Sequence, residues 1–223
     1  MPLHNRIIRL TESVKGRPLR VGILSMYDVE NNAVRILAAT LRKDDHEVVE
    51  IYFKDWISNH LSPATDVELN NLSKLVSERS LDLVCISLRA SAYYNSAKVI
   101  TEHLKGSTDT AVLWGGMHPT LVPDECIEEA DLVLEGEGEV AFADLANRLR
   151  DGTPLDDTPN LRLNNEDGTT ISNALRPLVT ELDTLAFRDY TSHDDKFFIW
   201  GDNVEVGDPM HGDPVYQMMG SRG

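Results

Sequence analysis

The sequence predicts an α/β protein built on a flavodoxin-like (Rossmann-like), doubly wound parallel sheet of five strands in the order 2-1-3-4-5. Three observations carry that expectation. Short β-branched runs alternate with longer amphipathic ones from Leu19 to Gly152. The strand-like runs are apolar throughout, as strands covered on both faces are. Right-handed crossovers then leave few other ways to connect five such pairs.

The first strand is "LRVGILS", starting at Leu19, and a helix follows in "NNAVRILAATLRKDD", where Val34, Leu37, Ala38 and Leu41 fall at helical spacing. "HEVVEIYF" is the second strand, and "DVELNNLSKLVSERS" the second helix, with Asp66 able to cap it. "LDLVCISLR" is the third strand, followed by the helix "SAYYNSAKVITEHLKG", which Gly106 stops. "TAVLWGG" is the fourth strand, "TLVPDECIEEA" a short helix, and "DLVLEGEGE" with "VAFADLANRLRDG" the last pair. Beyond Gly152 the pattern changes. "TPNLRLNNEDGTTISN" reads as a hairpin around Asn165, Asp167 and Gly168. From Glu181 to Pro214 nine acidic residues stand against two basic ones with little periodicity, as in an irregular linker, and "VYQMM" then opens another strand. The expected organisation is a lead segment (1–18), an α/β domain (19–152), a hairpin and acidic linker (153–214), and a first strand of something further (215–223).

Composition narrows the function. A hydrophobic share of 41% with 26% charged residues is that of a folded globular chain, and 223 residues allow one main core with an appendage. A net charge of −16 would repel a phosphate backbone, which argues against nucleic acid as a partner. No stretch approaches the ~20 apolar residues of a membrane span, and the first residues lack a signal-peptide core, so the expectation is a cytoplasmic protein with no membrane partner. Cys85 and Cys126 form no CxxC pair, which disfavours both a disulfide framework and a zinc site.

In such a sheet ligands lie beyond the carboxyl ends of the strands, here the loops after Ser25, Leu88, Trp114 and Leu134. Gly115 and Gly116 at a strand end allow either the close approach of a ligand or an ordinary tight turn. "GEGE", Gly136 to Glu139, opens a helix; its acids complement the macrodipole, or its glycines expose backbone donors to a polar ligand. It is no phosphate loop, because Glu137 and Glu139 repel an anion and no Lys-Ser/Thr pair follows. Ser87 is either a cofactor contact or a satisfied strand-end hydroxyl, and Arg89 either a contact or half of a surface ion pair. His118 could meet a cofactor or stand exposed in a loop. Tyr93 and Tyr94 face the same side, one of them as core. The remaining histidines, His46, His60, His103, His193 and His211, read as surface residues.

In order, "GGMHPT", "PDECIEEADLVLEGEGE", a hairpin, "RPLVTELDTLAFRDY" and a strand ending in "SRG" resemble the amino-terminal cobalamin-binding domain of cobalamin-dependent radical SAM enzymes. In that family the next residue is the first cysteine of a CxxxCxxC loop that binds a [4Fe–4S] cluster and, through it, S-adenosylmethionine. The resemblance therefore implies a domain cut from a longer enzyme, most often a methyltransferase, whose radical SAM barrel is the partner of this segment. It implies cobalamin against Asp28, Glu30, Ser87, Leu88, Arg89, Gly115, Gly116, Met117, His118, Gly136, Glu137 and Gly138, with no catalytic residue and no metal ligand here. Domains that ligate cobalt with histidine carry DxHxxG after the first strand. This chain has "DVENNA", with Glu30 at the histidine position and Ala33 at the glycine position, so cobalt is expected to receive no histidine from this loop. The alternative is a flavodoxin-like domain that has lost its ligand and serves as a scaffold. Flavin binding ranks below both for want of a Ser/Thr-rich loop, and a methylthiotransferase domain fails on cysteine count.

Overall fold

The computed structural model describes residues 3–55, 61–165, 167–191 and 193–212. Among the described residues one sheet has nine strands: β1 (Arg20–Met26), β2 (Glu47–Phe53), β3 (Leu83–Ser87), β4 (Ala111–Gly115), β5 (Leu132–Leu134), β6 (Leu161–Asn164), β7 (Thr170–Ser172), β8 (Lys196–Trp200) and β9 (Asn203–Val206). They lie in the order β7-β6-β5-β4-β3-β1-β2-β8-β9. From β5 to β8 across this order every pairing is parallel, while β6, β7 and β9 run antiparallel to their neighbours.

Helices cover both faces, as the continuous apolar runs require. On one face, α3 (Asp66–Glu78), α4 (Tyr94–Ser107) and α6 (Pro123–Glu129) pack Leu72, Ile100 and Ile127 onto Leu24, Ile86 and Trp114. On the other, α1 (Leu3–Val14), α2 (Asn32–Lys43) and α7 (Gly138–Asp151) pack Leu10, Val34 and Phe142 onto Ile23, Cys85 and Leu113. Neighbours such as Ile23 and Leu24 thus feed opposite cores, and both are fully buried.

Several features depart from the sequence reading. The sheet has nine strands rather than five, because the hairpin pairs with β5 and a second hairpin, β8–β9, pairs with β2. That second hairpin lies inside the segment expected to be an irregular linker. "KFFIW" is an apolar strand run, and Asp208 after it is taken by two buried cations, Arg35 of α2 and Lys196 of β8. The lead segment carries α1, whose Arg6 guanidinium caps the end of α4 through the Thr108 and Thr110 carbonyls. The expected helix over 120–130 is two, α5 (Met117–Leu121) and α6, separated at Val122 before Pro123. Thr65 rather than Asp66 caps α3, in a capping box with Glu68. The strand expected from Val215 and the "SRG" after it lie outside the described residues.

His46, expected at the surface, is buried. Its Nδ1 accepts from the Leu19 amide at 3.1 Å, and its Nε2 lies 3.2 Å from Asn147 Oδ1. The Leu19 bond needs an unprotonated Nδ1, so the ring is neutral, and burial lowers its pKa below the usual 6.5. The unfolded chain then binds a proton that the folded one refuses. Stability from this group is complete above about pH 6.5 and is lost as the pH falls towards the depressed value. The melting temperature of the wild type should drop more between pH 7.5 and 5.5 than that of His46→Asn, which keeps an acceptor for Leu19. Parallel drops in the two proteins would contradict the assignment.

Candidate functional site

Ser25, Ser87, Gly115 and Leu134 stand in one row across β1, β3, β4 and β5 at their carboxyl ends. From β1 the chain turns into α2 on one face, and from β3 into α4 on the other, so the two loops part and leave a crevice. Asn31, the N-cap of α2, spans its base. Its Oδ1 accepts from the Ala33 amide, and its Nδ2 donates to Ser25 Oγ at 3.0 Å and Ser87 Oγ at 3.2 Å. Ser25 Oγ in turn donates to the Asp28 carbonyl at 2.6 Å. Ser87 is therefore a satisfied hydroxyl that nevertheless borders the crevice. Asp28 pairs with Arg89 across it at 2.7 Å and also accepts from the Glu30 amide. Burial raises the Asp28 pKa, and Arg89 opposes the rise. Glu30 itself is exposed.

The loops after β3 and β4 are laced together. Leu88 N donates to the Gly115 carbonyl at 2.7 Å, and His118 N to the Leu88 carbonyl at 3.1 Å. Gly116 has φ 113° and ψ −164°, a region open only to glycine, and a Cβ there would lie 2.9 Å from the Leu88 carbonyl oxygen. For Gly116 the close neighbour is thus the protein's own backbone. Gly115 is in ordinary contact and borders a cavity. Met117 is exposed, whereas His118 is buried, contrary to an exposed loop histidine. His118 Nδ1 lies 2.9 Å from Ser91 Oγ, and the ring stands edge-on to Tyr94; its Nε2 is buried without a hydrogen-bond partner among the described residues. Tyr93 packs against Tyr27, and Tyr94 against Trp114.

Gly136 N donates to Thr120 Oγ1, which donates to the Gly116 carbonyl, both at 2.8 Å, so the loop after β5 is tied to that after β4. Glu137 accepts from the Val179 amide at 2.9 Å. The neighbouring Glu139 is buried in the first turn of α7.

Between this row and helices α2 and α7 lies a cavity of about 120 Å³. Ala33, Leu37, Cys85, Leu113, Leu134 and Phe142 make its apolar walls, and Ser87, Gly115, Gly116, Gly136, Gly138 and Glu139 complete it. A Cβ on Gly138 would come within 3.2 Å of Leu37 Cδ2, so this glycine keeps the slot open. The structure thus gathers Ser87, Gly115, Gly116, Gly136 and Gly138 at one slot, with Asp28 and Arg89 on the loops of the neighbouring crevice. Glu30 and Met117 point to solvent, and His118 sits on the α4 side. Asn31, Leu37, Cys85, Phe142 and Glu139 were not foreseen. Only Asn31 had a local signal, an Asn preceding an amphipathic run. A larger cavity, about 470 Å³, lies at the opposite end of the strands among Arg9, Ser77, Asp82 and Asp109, where Asp82 and Asp109 already pair with Arg17 and Arg9. Among the described residues no group of three or more His, Cys, Asp or Glu could hold a metal ion, and no helix is long and apolar enough to cross a membrane.

Comparison with known proteins meets this geometry. A family model described as B12 binding domain matches residues 21–146. An uncharacterized methyltransferase of Pyrococcus horikoshii is 28% identical over 130 residues, 57% of this chain and 28% of that protein. Two solved structures share the fold. The radical S-adenosylmethionine methyltransferase TsrM from Kitasatospora setae, with cobalamin and a [4Fe-4S] cluster bound, matches with a TM-score of 0.55 and 20% identity over 73% of this chain and 30% of its own. The cobalamin-dependent S-adenosylmethionine radical enzyme OxsB, with aqua-cobalamin bound, matches with a TM-score of 0.54 and 19% identity over 72% of this chain and 23% of its own. The chain therefore spans less than a third of the length of each of these relatives.

Because Gly116 is held in a glycine-only conformation against Leu88, Gly116→Ala should lower stability by about 1–3 kcal/mol. Urea unfolding measures this; an unchanged midpoint would mean that the β3 and β4 loops separate freely.

Proposed function

The chain belongs to the B12-binding domain family, and we propose from that premise that it is the cobalamin-holding unit of a longer radical S-adenosylmethionine enzyme, a methyltransferase. The observation that carries the reading is the apolar slot between α2 and α7 at the carboxyl ends of β3, β4 and β5. Its size is the test of fit. At about 120 Å³, somewhat below the ~150 Å³ cavity that takes a benzene ring, it excludes a macrocycle and has room for the leading part of a planar base. A cofactor with a planar base on a tethered tail matches that division. The base would enter the slot and leave the corrin outside, at the strand ends.

Bound there, cobalamin would supply a cobalt centre able to accept a methyl group and pass it on. The chain's own residues bind and orient. Leu37, Cys85, Leu113 and Phe142 desolvate the base, while Gly115 and Gly138 leave room for it. Ser87 and Glu139 line the slot with oxygen atoms on the side where the hydroxyl groups of the tail would lie. Asp28 and Arg89, closed on each other, present a neutralised pair on the crevice. The loop 27–31 contains no histidine, so cobalt receives no imidazole from it. Leu88, Met117 and His118 shape the chain after β3 and β4, which would border the cofactor, and Gly136 and Glu137 the entrance to α7. The relatives named above support a parent chain that also carries a radical SAM barrel, with its [4Fe–4S] cluster and S-adenosylmethionine, beyond the 19–152 cofactor unit and the segment that follows it. The substrate belongs to that part.

The full 223-residue chain mixed with hydroxocobalamin should carry a red chromophore through gel filtration with a base-off visible spectrum. Gly138→Leu should fill the slot and weaken retention at least ~10-fold, a loss of about 1.4 kcal/mol, while keeping the wild-type melting temperature to within a few degrees. A colourless wild type would favour the scaffold reading. Equal retention by Gly138→Leu would move the base to another place.

A further inference from the structure

We infer that Arg35 is a positioning residue for the cofactor seat, and that residues 188–191 and 193–210 form a strap belonging to that seat rather than a connector leaving it. The inference rests on the reading of the crevice given under Proposed function. Arg35 is fully buried on α2. Its Nη2 donates to the Val29 carbonyl at 2.9 Å and so holds the loop between β1 and α2, which carries Asp28 and Glu30, from behind.

The rest of the guanidinium faces the strap. It forms a two-pronged pair with the Asp208 carboxylate, one contact being 2.9 Å to Oδ1, and lies 3.4 Å from the Asp189 carbonyl. The rings of Tyr52 and Tyr190 flank it at 5.0 and 4.7 Å. Asp208 also takes the buried Lys196 ammonium at 3.0 Å. The strap touches the seat a second time. Tyr190 OH donates to Asn32 Oδ1 at 2.9 Å, and Arg188 Nη1 lies 3.3 Å from the same atom. Asn32 follows Asn31, whose side chain holds Ser25 and Ser87.

One buried cation therefore satisfies the backbone of the cofactor loop and the carboxylate of the strap together. A buried charge deprived of its partner is strongly disfavoured, so neither element can loosen without the other. A ligand that orders the loop should order the strap as well, and the strap should strengthen binding in return.

Hydrogen–deuterium exchange on the ligand-free 223-residue chain tests the coupling without any cofactor. In Asp208→Asn, amides in both 196–206 and 28–34 should exchange at least ~10-fold faster, with β3, β4 and β5 unchanged. Tyr190→Phe keeps the ring over Arg35 and removes only the hydroxyl. It should speed exchange in 28–34 by about 2–5-fold, and it decides the matter should Asp208→Asn fail to fold. The second readout is affinity: Asp208→Asn should bind hydroxocobalamin at least ~10-fold more weakly, and loading the wild type should slow exchange across 196–206. Release of 196–206 with 28–34 unaffected would overturn the proposal, as would affinity within about twofold of wild type in a loosened Asp208→Asn. A wild type that ignores hydroxocobalamin overturns the cofactor reading instead, and the exchange rates of 28–34 still decide the role of Arg35.

Discussion

The seat depends on one short side chain. Asn31 caps α2 through its oxygen and, through its nitrogen, reaches the serines that end β1 and β3. It is buried, so each lost bond would leave a polar atom dry, at a cost of about 1–3 kcal/mol. Because β1 and β3 are adjacent and in register at Ser25 and Ser87, fixing both serines to the first turn of α2 fixes the width of the crevice between the diverging loops. The slot, the Asp28–Arg89 pair and the strap are all disposed around that knot.

A second constraint acts at the opposite edge of the sheet. The β8–β9 hairpin is held by two buried ionic clusters. At its turn Glu68 accepts from the Gly201 amide at 2.8 Å while pairing with Lys54. At its base Lys196 and Arg35 share Asp208, and Arg42 joins Glu50 to Asp195. Burying so many charges is expensive unless each is matched, so these clusters specify one placement of the hairpin more than they add stability. The acidic surplus of the 181–214 segment is in part the complement of cations on α2 and β8.

That complementarity also explains what could and could not be read from the sequence. The strands "RVGILSM" and "EVVEIYF" announce burial on both faces through their own residues, and the helices between them through local periodicity. The hairpin of β6 and β7 announces itself through its turn. β8 does not, because "KFFIW" sits among acids of which two, Asp195 and Asp208, have partners more than 150 residues away on α2. The glycines of the site were legible as glycines, yet their reasons differ: Gly116 serves the backbone and Gly138 the slot. His46 reads as a surface residue in one dimension, and the exposed alternative for His118 could not be set aside there, because burial of a histidine is a tertiary property. The walls of the slot, Cys85 and Phe142 among them, look like any core residue in one dimension.

The central claim is that the slot between α2 and α7 holds the tail base of the cofactor while the macrocycle lies outside. Cobinamide, the same corrin without the nucleotide tail, isolates that contribution. Titration of the chain with cobalamin and cobinamide should give a dissociation constant at least ~100-fold higher for cobinamide, about 2.7 kcal/mol, because burial of one aromatic ring is lost. Equal affinities would contradict the account, since the slot would then be a packing defect and not a binding site.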